Sequence, residues 1–80
     1  MKEVGKITHY YDRLGVAVVE LSGVLKIGDS IKIKKGEHEC EQSVTSLQVE
    51  HEEVAKAKAG ETVGLKVTAR APVGARVYLV

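Results

Sequence analysis

The sequence predicts an all-β fold, a small closed barrel of about six short strands, and three observations carry that expectation. The hydrophobic period along the chain is two residues rather than 3.6. The 80 residues include three Tyr but no Phe or Trp, so the core has to be built from Val, Ile, Leu and Ala, and the abundance of β-branched residues favours strands. Eight Gly stand against a single Pro, as expected where many tight turns join short elements. A chain of this length has room for one core, so residues 1–80 are expected to form a single domain.

The elements follow in order. Residues 4–10 (VGKITHY) alternate as a first strand, and residues 14–21 (LGVAVVEL) are nearly all apolar, as in a strand buried on both faces or closing a barrel. Ser22-Gly23 and Gly28-Asp29 are turn signals. After the second, Ile31 and Ile33 point one way while Lys32 and Lys34 point the other. Glycine at 28 is expected to supply a positive φ or a close approach, and Asp29 a local side-chain hydrogen bond. Lys35-Gly36-Glu37 is the next turn, and residues 39–50 form a long polar strand or hairpin arm. Within that arm Val44 and Leu47 cannot share a face in regular alternation, so one is expected to be exposed or a bulge to lie between them. Residues 51–61 (HEEVAKAKAGE) have the most helix-friendly composition in the chain, enough for a turn or two before Gly60. Residues 62–68 place Val63, Leu65 and Val67 inward. A turn with Pro72 and Gly74 follows, and a last strand has Val77 and Leu79 inward. Strands this short manage their exposed edges best by closing into a barrel.

Composition and motif spacing exclude several kinds of chemistry. A single cysteine, Cys40, cannot form an intramolecular disulfide, which suits a reducing compartment. Lys2, Glu3 and Lys6 interrupt any apolar leader, and no apolar run approaches the roughly 18 residues that span a bilayer. A cytoplasmic protein with no membrane partner is therefore expected. His38 and Cys40 share one strand face, with His9 and His51 as further candidates, but no paired C-x-x-C or H-x-x-x-H unit is present. No G-x-S-x-G elbow surrounds Ser22, Ser30, Ser43 or Ser46. The carboxylate pairs Glu39/Glu41 and Glu50/Glu52 read as an exposed acidic face, because acid–base pairs need burial to separate their pKa values. No glycine-rich phosphate loop appears. The expectation is a non-enzymatic protein with no metal, cofactor or nucleotide.

The net charge of +1 conceals an asymmetry. Residues 36–55 hold six acids (Glu37, Glu39, Glu41, Glu50, Glu52, Glu53) and no Lys or Arg. The remainder carries all twelve basic residues and five acids, 12 − 5 = +7. If their strands adjoin, Lys6, Lys32, Lys34, Lys66 and Arg76 form a basic band suited to RNA phosphates. Tyr10, Tyr11 and Tyr78 are the available stacking platforms, with Tyr10 and Tyr11 on opposite faces. Outward lysines are equally what a solvated strand carries. DNA is not expected as a partner.

Taken together, G-K-I-T at 5–8, G-V-A-V-V-E-L at 15–21, G-V-L-K-I-G-D-S-I-K-I at 23–33, V-T-S-L-Q at 44–48 and A-K-A-G-E-T-V-G-L-K-V at 57–67 resemble the second, β-barrel domain of translational GTPases such as elongation factor Tu. Similar barrels occur at the C-terminus of U32-family peptidase-like proteins. The resemblance implies a closed, six-stranded antiparallel Greek-key barrel. It also implies a functional region at Ser46, Leu47, Gln48 and the turn before Gly60, which in elongation factor Tu helps hold the aminoacylated end of tRNA. Here the segment after Gln48 is acidic, and no GTPase domain is present. Two functions follow as expectations. One is a non-catalytic module that contacts RNA, the ribosome or a translation-related partner through the basic set. The other is an accessory domain that docks a partner protein through the acidic 37–53 segment, with Ser46, Gln48, Glu50, Glu52 and Glu53 as contacts.

Overall fold

Alternation decides which side chains go inside. In the computed structural model, which describes residues 2–50, 52–68 and 71–80, Ile31, Ile33, Val63, Leu65, Val67 and Val77 are all buried, as their two-residue period requires. The chain forms ten strands among the described residues: β1 (Lys2–Tyr11), β2 (Val16–Leu21), β3 (Leu25–Lys26), β4 (Ser30–Lys35), β5 (His38–Ser43), β6 (Leu47–Val49), β7 (Glu52–Val54), β8 (Lys56–Ala57), β9 (Thr62–Lys66) and β10 (Arg76–Leu79). Eight of them make one sheet in the order β5-β4-β10-β1-β2-β9-β6-β7, and β3 pairs with β8. Every pairing is antiparallel. The core is wholly aliphatic, with no buried polar or charged residue among the described residues.

The expected closed barrel of six strands is replaced by a curled sheet whose end strands, β5 and β7, do not pair with each other. The reason lies at Val44. Its N–H donates to the Asp29 carbonyl (2.8 Å) and its carbonyl accepts from Gly28 N–H (2.9 Å), which pins residue 44 inward beside the Gly28-Asp29 turn. The chain then leaves the strand for three residues before β6 begins at Leu47. The expected long arm of 39–50 is thus two strands on different parts of the sheet. Val44 and Leu47 are both buried, because the backbone reorients between them. Where β5 would need a neighbour, the Gln42 side chain serves instead: its amide donates to the Lys66 carbonyl (2.8 Å) and its oxygen accepts from Thr68 N–H (3.0 Å).

The helix expected over 51–61 is absent from the described part of that segment. Residues 52–54 and 56–57 are extended, with Val54 opposite Leu47 and Ala57 opposite Leu25, so tertiary pairing overrides the local helix propensity. Gly60 has φ +90°, and the Glu61 carboxylate accepts from Lys58 N–H (3.0 Å) to close a turn. His51, Ala69 and Arg70 lie outside the described residues. At Gly28-Asp29 the sequence reading holds. Gly28 has φ +94°, and the Asp29 carboxylate accepts from Lys26 N–H at 3.1 Å. A Cβ at Gly28 would meet nothing within 4 Å, so the glycine is there for its dihedral and not for space.

Candidate docking surface

Two outward faces of the sheet carry the residues of interest. The first spans β5, β4, β10 and β1. Its register sets Lys6 opposite Arg76 and Arg76 opposite Lys34, one cross-strand row, with Lys32 opposite Tyr78 in a second row. Four of the five basic candidates therefore do adjoin. Lys66 does not, since it lies on β9 opposite Val16, beyond β2.

That basic row is heavily answered by acids. Arg76 bonds Glu3 at 3.1 Å, Lys32 contacts Glu39 at 3.0 Å and Glu41 at 3.4 Å, and Lys34 lies 3.9 Å from Glu39. The hydrogen bonds that Lys32 donates to Glu39 and Glu41 raise its pKa above the usual lysine value, and the Lys32 ammonium lowers that of Glu39. Cross-strand pairs of opposite charge stabilise a sheet locally, and they leave less free positive field for a polyanion.

The second face spans β2, β9 and β6, together with the β1–β2 turn. Val16 and Val18 point outward from β2 and are half-buried, with Gly64 opposite Val18 and Gln48 opposite Gly64. The turn adds two exposed apolar side chains, Tyr11 and Leu14, the latter 64% exposed. The His9 ring packs on Tyr11, centroids 4.4 Å apart and tilted by 54°. Tyr11, Leu14, Val16, Val18 and Gly64 line a groove of about 240 Å³ whose rim includes Gln48, Glu50 and Thr62. Glycine at 64 leaves the groove floor open: a Cβ there would lie 3.4 Å from Val16 Cγ1 and 3.8 Å from Gln48 Cβ.

The acidic segment 37–53 is not one surface. Glu37, Glu39 and Glu41 lie on or beside β5, while Glu50, Glu52 and Glu53 belong to the β6–β7 hairpin at the other end of the strand order. The β5 acids are engaged by lysines, as described. In the hairpin, Glu53 sits opposite Gln48 and accepts from Ser46 Oγ at 3.4 Å. Glu50, at the hairpin tip, has φ +52°, a left-handed conformation uncommon for a residue with a Cβ. Of the five partner-binding candidates, Gln48 and Glu50 line the groove, Glu53 lies opposite Gln48, and Ser46 and Glu52 are not part of its lining.

The groove walls are what sequence reasoning missed. The apolar run 14–21 reads as buried on both faces, whereas nothing among the described residues covers its outer face. Two signals were present: Leu14 is an apolar residue in a turn, and Gly64 is an isolated glycine at an outward strand position. Among the described residues no cluster of three or more His, Cys, Asp or Glu side chains could hold a metal ion, and Cys40 is free and half-buried. No helix among them is long and apolar enough to cross a membrane.

This aliphatic β-sheet module with an open outer groove has counterparts among known proteins. It is similar in fold to the C-terminal domain of a Geobacillus thermoleovorans protein assigned to the U32 peptidases, with a TM-score of 0.91 at 18% identity over 99% of this chain and 92% of that one. A selenomethionine variant of that domain gives the same TM-score and identity over 98% and 99% of the two chains. In sequence, the chain is 42% identical over 78 residues to an uncharacterized protease of Methanocaldococcus jannaschii. The match takes in 96% of this chain and 19% of that protein, so the chain spans about a fifth of its relative's length. No protein-family profile matches the chain. The U32-type resemblance is thus supported by the fold, and the sequence relative is itself called a protease, whereas the resemblance to translation factors rests on the sequence motifs alone.

Proposed function

We propose that this chain is a non-catalytic docking module that packs, through the groove between the β1–β2 turn and the β6–β7 hairpin, against the remainder of a U32-type protein. The observation that carries the reading is the contrast in compensation. On the basic face Lys32, Lys34 and Arg76 are ion-paired to Glu3, Glu39 and Glu41, with Lys6 outside those pairs, while the groove leaves Tyr11 and Leu14 exposed next to Glu50. Exposed apolar side chains grouped around a concavity mark interaction sites more often than solvated surface. The relative that matches over a fifth of its length supports an arrangement in which such a module accompanies a larger protein. We place this role in the cytoplasm, where a lone thiol stays reduced.

The test is a titration of the 80-residue chain into the Methanocaldococcus relative expressed without its matching stretch, followed by calorimetry. Saturable binding that is lost in Leu14→Asp is expected. Absence of binding, or equal binding by that variant, would overturn the reading.

RNA contact is a second reading, favoured by the single row Lys6–Arg76–Lys34 and by the translation-factor resemblance. It requires binding of a short RNA at low salt that weakens as salt rises. No binding at low salt, or binding indifferent to salt, removes it.

A further inference from the structure

The groove has poles of opposite charge, and they specify its occupant. Resting on the docking reading above, we propose that it receives a short peptide segment bearing one bulky apolar side chain next to a Lys or Arg. The apolar side chain lies over Gly64 and the cation meets Glu50.

Size sets the first limit. At about 240 Å³ the groove falls below the roughly 300–1,000 Å³ of sites that enclose small organic ligands, and suits one or two side chains. Shape sets the second. The opening over Gly64 exists because that position has no side chain, and Val16, Val18 and the Gln48 stem border it.

Charge then orients the segment. The β6–β9 register runs Leu47 to Leu65 and Gln48 to Gly64, and its continuation brings Glu50 level with Thr62, whose neighbour on β2 is Glu20. That end is acidic. The opposite end holds Lys66 beside Val16, which repels a second cation. Among the described residues no Lys or Arg nitrogen lies within ion-pair distance of Glu50. The left-handed backbone at Glu50 fixes where its side chain leaves the hairpin. A phosphate chain laid in the groove would meet this acidic end, so a cationic peptide is the better complement.

The proposal is tested by amide chemical shifts of the ¹⁵N-labelled 80-residue chain, titrated with acetyl-Gly-Leu-Arg-Gly-amide, acetyl-Gly-Leu-Glu-Gly-amide and acetyl-Gly-Ser-Arg-Gly-amide. The Leu-Arg peptide should shift Val16, Val18, Gln48 and Gly64, the Leu-Glu peptide should bind about threefold to fivefold more weakly, and the Ser-Arg peptide, which has no apolar side chain to bury, at least as weakly. Glu50→Lys should reverse the preference between the Leu-Arg and Leu-Glu peptides, and Gly64→Leu should abolish the shifts in a chain that keeps its native spectrum. Equal response to all three peptides, or none that saturates by about 10 mM, overturns the inference. So does concentration-dependent self-association through the same amides, or a larger response there to a short RNA. If the peptides fail while the chain still binds the truncated relative, the occupant is wrong and the docking reading stands.

Discussion

The two outward faces of one sheet solve the same problem differently. On β5, β4, β10 and β1 the outward side chains are charged and answer one another across the strands, Arg76 to Glu3 and Lys32 to Glu39 and Glu41. On β2, β9 and β6 the outward positions are Val16, Val18, Gly64 and Gln48, and no described element covers them. The lesson is that a count of charges misdirects. The strongly charged face is satisfied from within, and the sparsely charged one is left wanting a partner.

Two mid-strand glycines offer the sharpest way to break that contrast. At Gly5, in β1, a Cβ would lie 2.6 Å from Val19 Cγ1 and 3.1 Å from the Glu20 carbonyl oxygen. Gly5→Ala should therefore cost about 2–3 kcal/mol through overpacking, read as a lowered urea midpoint; an unchanged midpoint would show that the strand shifts freely. Next in size, Gln42→Ala removes three hydrogen bonds that join β5 to the end of β9 and to Thr68. It should cost about 1–2 kcal/mol and speed hydrogen exchange at Thr68. Gly28→Val, which strains a φ of +94° without any clash, should cost somewhat more than about 1 kcal/mol; a neutral melting temperature counts against it.

Smaller effects test the charged face. Because Lys32 holds the Glu39 carboxyl below the usual carboxylate range, the stabilisation from that pair is present above the ordinary carboxylate pKa. It is lost as pH falls through the lowered value of the folded state. Lys32, raised above the usual lysine value, contributes fully below that value and loses its contribution only as pH rises through the raised one. Lys32→Gln should therefore flatten the acid limb of the stability profile between pH 7 and strongly acid conditions, and an unaltered limb would show the pair to be silent. Smallest of all, Gly64→Ala meets only ordinary contacts at 3.4 and 3.8 Å. Stability should stay within about 0.5 kcal/mol of the parent, by thermal melting, while binding to the truncated relative weakens.

What sequence made legible was local. Alternation set Ile31, Ile33, Val63, Leu65 and Val67 inward, and the Gly28-Asp29 turn has the dihedral and the side-chain bond its residue types imply. What it concealed was whatever depends on a distant neighbour. Val54 and Ala57, three residues apart, suit a helix face, and only their pairing with Leu47 and Leu25 makes them strand residues. The acids of 37–53 are close in sequence, yet they end at opposite ends of the strand order. An apolar run such as 14–21 shows that burial is favoured on both faces, not that both are covered. For that reason Lys6, Lys34 and Arg76 were brought together as expected, while the groove beside Gln48 and Glu50 was not foreseen.

The placement of β10 carries a consequence for how the chain acquires its structure. Last in chain order, this four-residue strand lies between β4 and β1, with Leu79 opposite both Ile31 and Lys2. Before it arrives, the larger sheet is two pieces: the β4–β5 hairpin, and the array from β1 to β7. A chain emerging from the ribosome can pair β1 with β2 early, but it cannot unite those pieces until residues 76–79 are free. The closure then joins residues nearly a whole domain apart in sequence, which places folding among the slower, high-contact-order class. The keystone of the sheet is thus the last of its own strands in chain order, and damage to Val77 would be felt as a failure to assemble rather than as a local defect.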